Sequence, residues 1–448
     1  MQQPAAQETA TSSGVRHAPP RSEWLGDARA TLLLCAFVCA CSSIVLASGF
    51  RHISDDDYSR VVIAESFAHA PSLDPSGTSW LPAPFWIVGS AMMAFGRSLA
   101  TARVVTMITT LIAIALCFQG ALARGLSRRA SAATIVIAAL LPWNLWLDAA
   151  MVPEAMCGAL VAFAALVFQK PGWRVAAALA LLVASLSRYE AWPACAVIAI
   201  YFAGCCRAPA HRFFNAACAV LAAAGPFAWI AWNAISHGSP THFLDRVANY
   251  RQSIGAASVP LLSKVAEYPI ALVRVLGVMS PIIALALIGL RSPEMRRRWW
   301  GPLTVSAAIL LFLIWGDVRD GAPTHHPERA LVALTWILTA FSCDFLARRG
   351  SSAWLVAVAI AATLPITAWR AIHHFPGADA SEVRATQIAR GRALRDKAEC
   401  VTVIPCRYEH FAFIAGFGAP ERARVVEPEG DASECPTVAI GCLGPSAP

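Results

Sequence analysis

Charge is what this sequence has least of. Only 14% of its 448 residues are Asp, Glu, Lys or Arg, against 57% hydrophobic. A soluble domain of this size could not hide so much apolar surface, because folded proteins already expose much of their carbon. One soluble globular domain is therefore excluded. The chain also lacks a glycine-rich P-loop, a GxGxxG in a strand-to-helix context and any internal repeat. Those absences remove P-loop phosphate chemistry, Rossmann dinucleotide binding and solenoid architecture.

What is present is a series of apolar stretches of roughly 16 to 22 residues separated by short arginine-bearing connections, the pattern of helices that satisfy their backbone groups in lipid. The formal charge of +8 invites a nucleic-acid reading. The arginines, however, fall in every second loop, so topology explains them better through the positive-inside rule. The expected fold is an all-α polytopic membrane protein of about 11 transmembrane helices, with a small C-terminal α/β domain.

Residues 1–29 read as a disordered cytoplasmic leader, poor in apolar periodicity. The first span, Thr31 to Phe50, exceeds a usual signal core and reads as a retained anchor rather than a cleaved signal peptide. Residues 51–98 form a long first outer loop with interfacial helices. Within it Asp55 to His69 is a short amphipathic helix, and Trp80 to Phe95 does not cross, since a crossing there would turn Arg124, Arg128 and Arg129 outward. The transmembrane unit is expected to run over residues 30–370 and the extracytoplasmic tail over 371–448. In the tail, Ser381 to Glu399 and Tyr408 to Phe417 read as helices, Val401 to Ile404 and Arg424 to Val426 as strands. The implied address is a bacterial inner (plasma) membrane, with the amino terminus cytoplasmic.

Fourteen cysteines suggest a disulfide scaffold, yet ten sit in or beside apolar segments as small hydrophobes. The other four, Cys400, Cys406, Cys435 and Cys442, allow three pairings in the tail. Outside the cytoplasm they would be oxidised.

With this topology the outer connections hold nearly all the chemically capable residues. Asp55, Asp56 and Asp57 follow the first span, and three acids there exceed what a helix start needs. Further on come Asp148, Glu154, Arg188-Tyr189-Glu190, His237, His242, Asp245 and His325-His326-Pro327-Glu328-Arg329. A helix start explains Pro153-Glu154 equally well, and an internal ion pair competes for Arg188 and Glu190. Adjacent histidines with a glutamate match a metal site only weakly. An arginine at the outer end of a span suits a phosphate, which its planar fork can grip twice.

The acidic pair after span one, the Trp-x-Pro-x-Pro break at Trp80, the helix ending Phe95-Gly96, the acid after span three, Ser187-Arg-Tyr-Glu-Ala-Trp192 and His326-Pro-Glu-Arg329 together resemble the GT-C glycosyltransferases. Protein O-mannosyltransferase-like and aminoarabinose-transferase-like enzymes are the most similar in pattern. The resemblance covers roughly residues 30 to 345 and leaves the tail outside. It implies sugar transfer from a polyprenyl-phosphate-linked donor to a protein, lipid or glycan acceptor at the outer face of the bilayer, without nucleic acid. It implies a catalytic base at Asp56 or Asp55, the triplet leaving the register ambiguous by one, and a second-loop acid at Glu154. Arg188 and Arg329 would bind the phosphate, with Asp57, Tyr189, His326 and Glu328 completing the substrate-binding set. A divalent cation bridging acids and phosphate is compatible but not required. This chain departs in carrying Asp-Asp where family members often have Asp-Glu. The alternative class is a transporter or flippase for a lipid-linked or anionic substrate, against which stand polar residues at helix ends and the missing two-fold repeat.

Overall fold

The computed structural model describes residues 21–207, 211–253, 260–319, 326–349, 352–405, 409–426 and 435–440. The leader up to residue 20, His325, the start of the Tyr408 helix, Cys406 and Cys442 lie outside them.

The membrane unit opens with α1 (Arg21–Ala47), then α2 (Asp56–His69) and α3 (Ala83–Phe95) of the first loop, then α4 (Leu99–Arg124). Ser98 accepts the Thr101 N–H at 3.1 Å to start α4, and Gly125, left-handed at φ +92°, ends it. That is the capping pair expected at a helix start and stop. α5 (Arg128–Ala139) and α6 (Pro142–Ala149) follow, bent 78° at their break. Proline cannot donate to the preceding turn, so a chain that reads as one apolar run from Ala130 to Leu147 is split.

Next come α7 (Glu154–Val167), α8 (Arg174–Ser185), α9 (Trp192–Cys205), α10 (Arg212–His237) and α11 (His242–Ser253). α12 (Leu261–Leu276) and α13 (Met279–Ile288) form a second broken pair, bent 108°. α14 (Pro293–Val318), α15 (Val332–Arg348) and α16 (Ser352–His373) complete the unit. α7 is buried along its whole length and α15 along nearly all of it, so both are apolar all round, as core helices are. They touch where a Cβ on Gly158 would lie 2.4 Å from a Val332 methyl, which only glycine permits. Outward-facing Leu33, Phe213, Leu262 and Leu311 are 66–88% exposed. That apolar belt belongs against lipid, and the chain is a multi-pass membrane protein.

Among the described residues, five helices are long and apolar enough to cross, seven if each bent pair is one span, and four more apolar helices have 10–17 residues. The expected eleven is not reached on that criterion, because the short segments are broken by proline and by the glycine after α12. Helix α3, at 13 residues, rises only about 20 Å, short of the bilayer core.

The tail holds α17 (Ser381–Arg395), β1 (Val401–Ile404), α18 (His410–Phe417), β2 (Ala423–Val425) and β3 (Thr437–Ala439). The sheet is parallel in the order β2-β1-β3, with Val403 opposite both Val425 and Val438. Strand β3 was not expected from the sequence. Cys400 and Cys435 are disulfide-bonded. Tyr58, Val61 and Ala64 of α2 share one apolar core with Val401, Val403, Phe413 and Phe417 of the tail, and Arg97 grips Glu421 with bonds of 2.8 and 2.9 Å. The first loop and the tail therefore pack as one body above the helices.

Candidate active site

Three consecutive acids open α2, and each finds a different partner. Asp57 is fully buried. Its Oδ2 accepts the Ile53 and Ser54 N–H groups at 3.1 and 3.4 Å and its Oδ1 accepts the Met151 N–H at 3.0 Å. Burial raises its pKa above the usual carboxylate range, opposed by the bond from Met151 and the charge of Arg329. The residue ties the first loop to the segment between α6 and α7. Arg103 of α4 fastens the same junction, donating to the carbonyls of Ala149 and Arg51, both at 2.7 Å.

Asp55 turns the other way and is held in a two-pronged pair by Arg384 of α17, at 2.7 and 2.9 Å. Burial pushes its pKa up, and Arg384 pulls it back.

Asp56 lies between them with its side chain 40% exposed, its Oδ2 3.2 Å from Nη1 of Arg329. Arg329, 273 residues away in sequence, sits in the 3-10 turn Pro327–Leu331 that leads into α15. It is 5% exposed. Its Nε and Nη2 both donate to Glu154 Oε1, at 3.0 and 2.6 Å. Arg188, extended just before the turn Tyr189–Ala191, reaches the same oxygen at 3.2 Å and grips Glu190 through two nitrogens. Among the described residues Glu154 Oε2 has no hydrogen-bond partner. The result is a continuous chain, Asp56–Arg329–Glu154–Arg188–Glu190, that begins at a half-open carboxylate and runs inward. Charges packed this way are stable because each is paired, and removing one exposes the rest.

One cation here was not singled out in the sequence. Arg60 is 6% exposed, with its guanidinium carbon 4.3 Å from the Trp80 ring centroid, and among the described residues its Nε has no hydrogen-bond partner. Burial lowers its pKa to about 10, while Glu154 and Asp56 oppose that and Arg188 and Arg329 add to it, so it stays a cation. With Phe85, Thr109, Met151 and Met156 it lines a cavity of about 30 Å³. The available signal was spacing: Asp56 and Arg60 are four apart on α2 and lie on one face. Arg384 carried no local signal, since its partner is 329 residues away.

The other expected residues sit elsewhere. The Tyr189 hydroxyl donates to the Ser79 carbonyl at 2.6 Å and accepts from Trp229 Nε1 at 3.0 Å, and its ring stacks on Phe243. That knot fastens the first loop to α10 and α11. His326, at φ +58°, packs on Trp143. With Glu328 it borders a cavity of about 580 Å³ against Leu262, Glu267, Ile270 and Arg274 of α12. Asp148 is buried in α6, and His237 stacks on His242. Among the described residues no group of three His, Cys, Asp or Glu side chains is placed to hold a metal ion. Asp55, Asp56 and Asp57 diverge, so the acidic triplet does not fit the bridging cation the sequence allowed.

No protein-family model matches the chain, and no curated protein does. Its fold is similar to the crystal structure of ArnT from Cupriavidus metallidurans bound to undecaprenyl phosphate, with a TM-score of 0.52 at 16% identity, covering 90% of this chain and 76% of that one. The same protein in its apo state aligns over 90% of this chain and 75% of that one, with a TM-score of 0.49 at 16% identity. The likeness is one of fold.

Proposed function

We propose that this chain is a membrane glycosyltransferase that moves a sugar from a polyprenyl-phosphate donor to an acceptor at the extracytoplasmic face. The observation that carries the reading is the half-open Asp56 carboxylate at the head of a buried arginine–glutamate chain, in a fold shared with a protein whose structure holds undecaprenyl phosphate. The disulfide Cys400–Cys435 supports an oxidising compartment for the tail.

In this reading Asp56 takes the proton of the acceptor hydroxyl or amine as it attacks the anomeric carbon. Arg329, Arg188 and Arg60 face the departing phosphate and stabilise its charge. Glu154 keeps the two ion-paired guanidiniums aimed while it remains ionised between them. A single base with no second nucleophilic carboxylate implies inversion at the anomeric carbon. The apolar surface of α12 beside the cavity at His326 and Glu328 lets an isoprenoid stay in lipid while its head group reaches the cluster.

The test is a transfer assay with purified protein in proteoliposomes, supplied with undecaprenyl-phosphate-linked sugars, reading release of undecaprenyl phosphate. Wild-type release that Asp56→Asn abolishes supports the assignment. Full activity in Asp56→Asn with the protein correctly inserted rejects the role of the base, and no release from wild type with any donor rejects the class.

A further inference from the structure

The tail was expected to lie outside the catalytic unit, yet it supplies the partner of the residue beside the base. Arg384 is 3% exposed, and both its Nε and Nη2 are spent on Asp55. Its remaining nitrogen lies 3.5 Å from Gln387 Oε1 and 3.6 Å from Glu409, so the guanidinium is held by its own domain while it grips the first loop. The approach is close along the seam. Gly377, at φ +73°, lies so near that a Cβ there would sit 2.8 Å from the His52 carbonyl oxygen. His52 Nδ1 is 3.3 Å from the Tyr58 hydroxyl, in the loop that bears the triplet.

From this juxtaposition we infer that the C-terminal α/β unit aims the base: Arg384 is a positioning residue that, by holding Asp55, turns Asp56 toward Arg329. The inference rests on the assignment of Asp56 as the base, and it adds a task for the tail. With Asp57 tied to Met151 and Asp55 tied to α17, the first turn of α2 is pinned on both flanks, and the middle carboxylate has one direction left. A misplacement of about 1 Å at a reacting group costs about a hundredfold in rate, which is what this pinning prevents.

The experiment uses the full-length protein in nanodiscs and compares Arg384→Gln, Arg384→Lys, Asp55→Asn and, as control, Arg97→Gln, which breaks a tail contact at the rim, away from the triplet. Amide hydrogen exchange reads residues 52–58 separately from residues 381–417. Arg384→Gln and Asp55→Asn are expected to speed exchange in 52–58 about tenfold while 381–417 stays protected, with Arg384→Lys between them and wild type and Arg97→Gln unchanged. With undecaprenyl-phosphate-linked sugar, kcat falls about a hundredfold in Arg384→Gln and KM for the donor stays within about threefold. Unchanged exchange in 52–58 overturns the inference, as does equal loosening of both segments, which would mark Arg384 as a mere fastener of the tail. If wild type transfers no sugar, the proposed reaction fails, and the exchange pattern still decides whether Arg384 orders the triplet.

Discussion

Removing Arg329 tests the buried chain most directly. Arg329→Met keeps most of the side-chain volume but deletes the guanidinium that joins Asp56 to Glu154. Among the described residues Glu154 Oε1 then keeps Arg188 alone and Oε2 still has no hydrogen bond, and its carboxylate is 1% exposed. Breaking a buried pair by removing one partner costs about 3–5 kcal/mol, most of it the penalty on the charge left behind. Removing that charge as well, in Arg329→Met with Glu154→Gln, returns part of the loss, because Arg188 remains satisfied by Glu190. Coupling of about 1–3 kcal/mol is expected. Arg329→Lys keeps the charge but loses the fork that reaches two acids at once, so it falls between wild type and methionine. Unfolding in detergent micelles, followed by fluorescence of the fifteen tryptophans, reads wild type, the two single changes Arg329→Met and Glu154→Gln, their double change and Arg329→Lys. Additivity of the two single changes to within about 0.5 kcal/mol would refute the idea that these groups form one network.

Other outcomes follow from the same geometry. His52, 2% exposed, has its pKa lowered to about 4, by burial first and then by Arg384 and Arg103. The unfolded chain therefore binds a proton below pH 6.5 that the folded one refuses, and stability falls as pH drops from about 6.5 to 4, by about 3 kcal/mol in all. His52→Phe should flatten that slope in a pH series of melting curves, and an unchanged slope rules the origin out. Asp57→Asn can still accept from some of its backbone donors, but its amide nitrogen must face others. A loss of about 1–3 kcal/mol is expected, with residual transfer activity in whatever fraction stays folded, measured as kcat per folded molecule. Replacing Cys400 and Cys435 by serine opens a loop of 35 residues and should cost the tail about 3–4 kcal/mol. Proteolysis of residues 396–440 in the mutant but not the wild type would register it, and equal resistance would argue against the link.

The helix series and the first loop were legible because hydrophobic run length and the arginine bias act locally. The triplet Asp55–Asp57, Glu154, Arg188 and Arg329 could be singled out from residue type and position relative to span ends, whereas the choice of Asp56 or Asp55 comes from the resemblance and stays open by one. What resisted reading was anything set by packing. The break at Pro142 splits what looked like a single span, and the glycine after α12 ends another. Strand β3 is three residues with no alternation long enough to see, held by the ladder from β1. Tyr189 looked like a ligand residue by its neighbours, but its hydroxyl and ring are both spent on packing. Arg384 sits in an amphipathic helix full of arginines, and nothing in α17 distinguishes it from Arg390 or Arg395.

The ambiguity within the acidic triplet has a geometric resolution available in principle from the sequence. Consecutive residues on a helix point about 100° apart, so three adjacent acids at the start of α2 cannot converge on one cation or one substrate. They must divide their work, and the division observed is one acid to Arg384 of the tail, one to Arg329 and one to backbone N–H groups. The acid paired with Arg329 is the one four residues before a second buried cation, Arg60, and that spacing keeps both on one helix face. A carboxylate followed four residues later by a buried arginine is thus a sharper mark of the proposed base than the triplet itself. By that rule a shift of the triplet by one residue, made by deleting Ser54 and inserting an alanine after Tyr58, should carry the essential acid with the face rather than with the sequence number. The acid then four before Arg60 is the native Asp57, and a transfer assay on Asp57→Asn in that background should show the loss that Asp56→Asn shows in the native chain. Loss still following Asp56 would mean the loop, not the helix face, sets the aim.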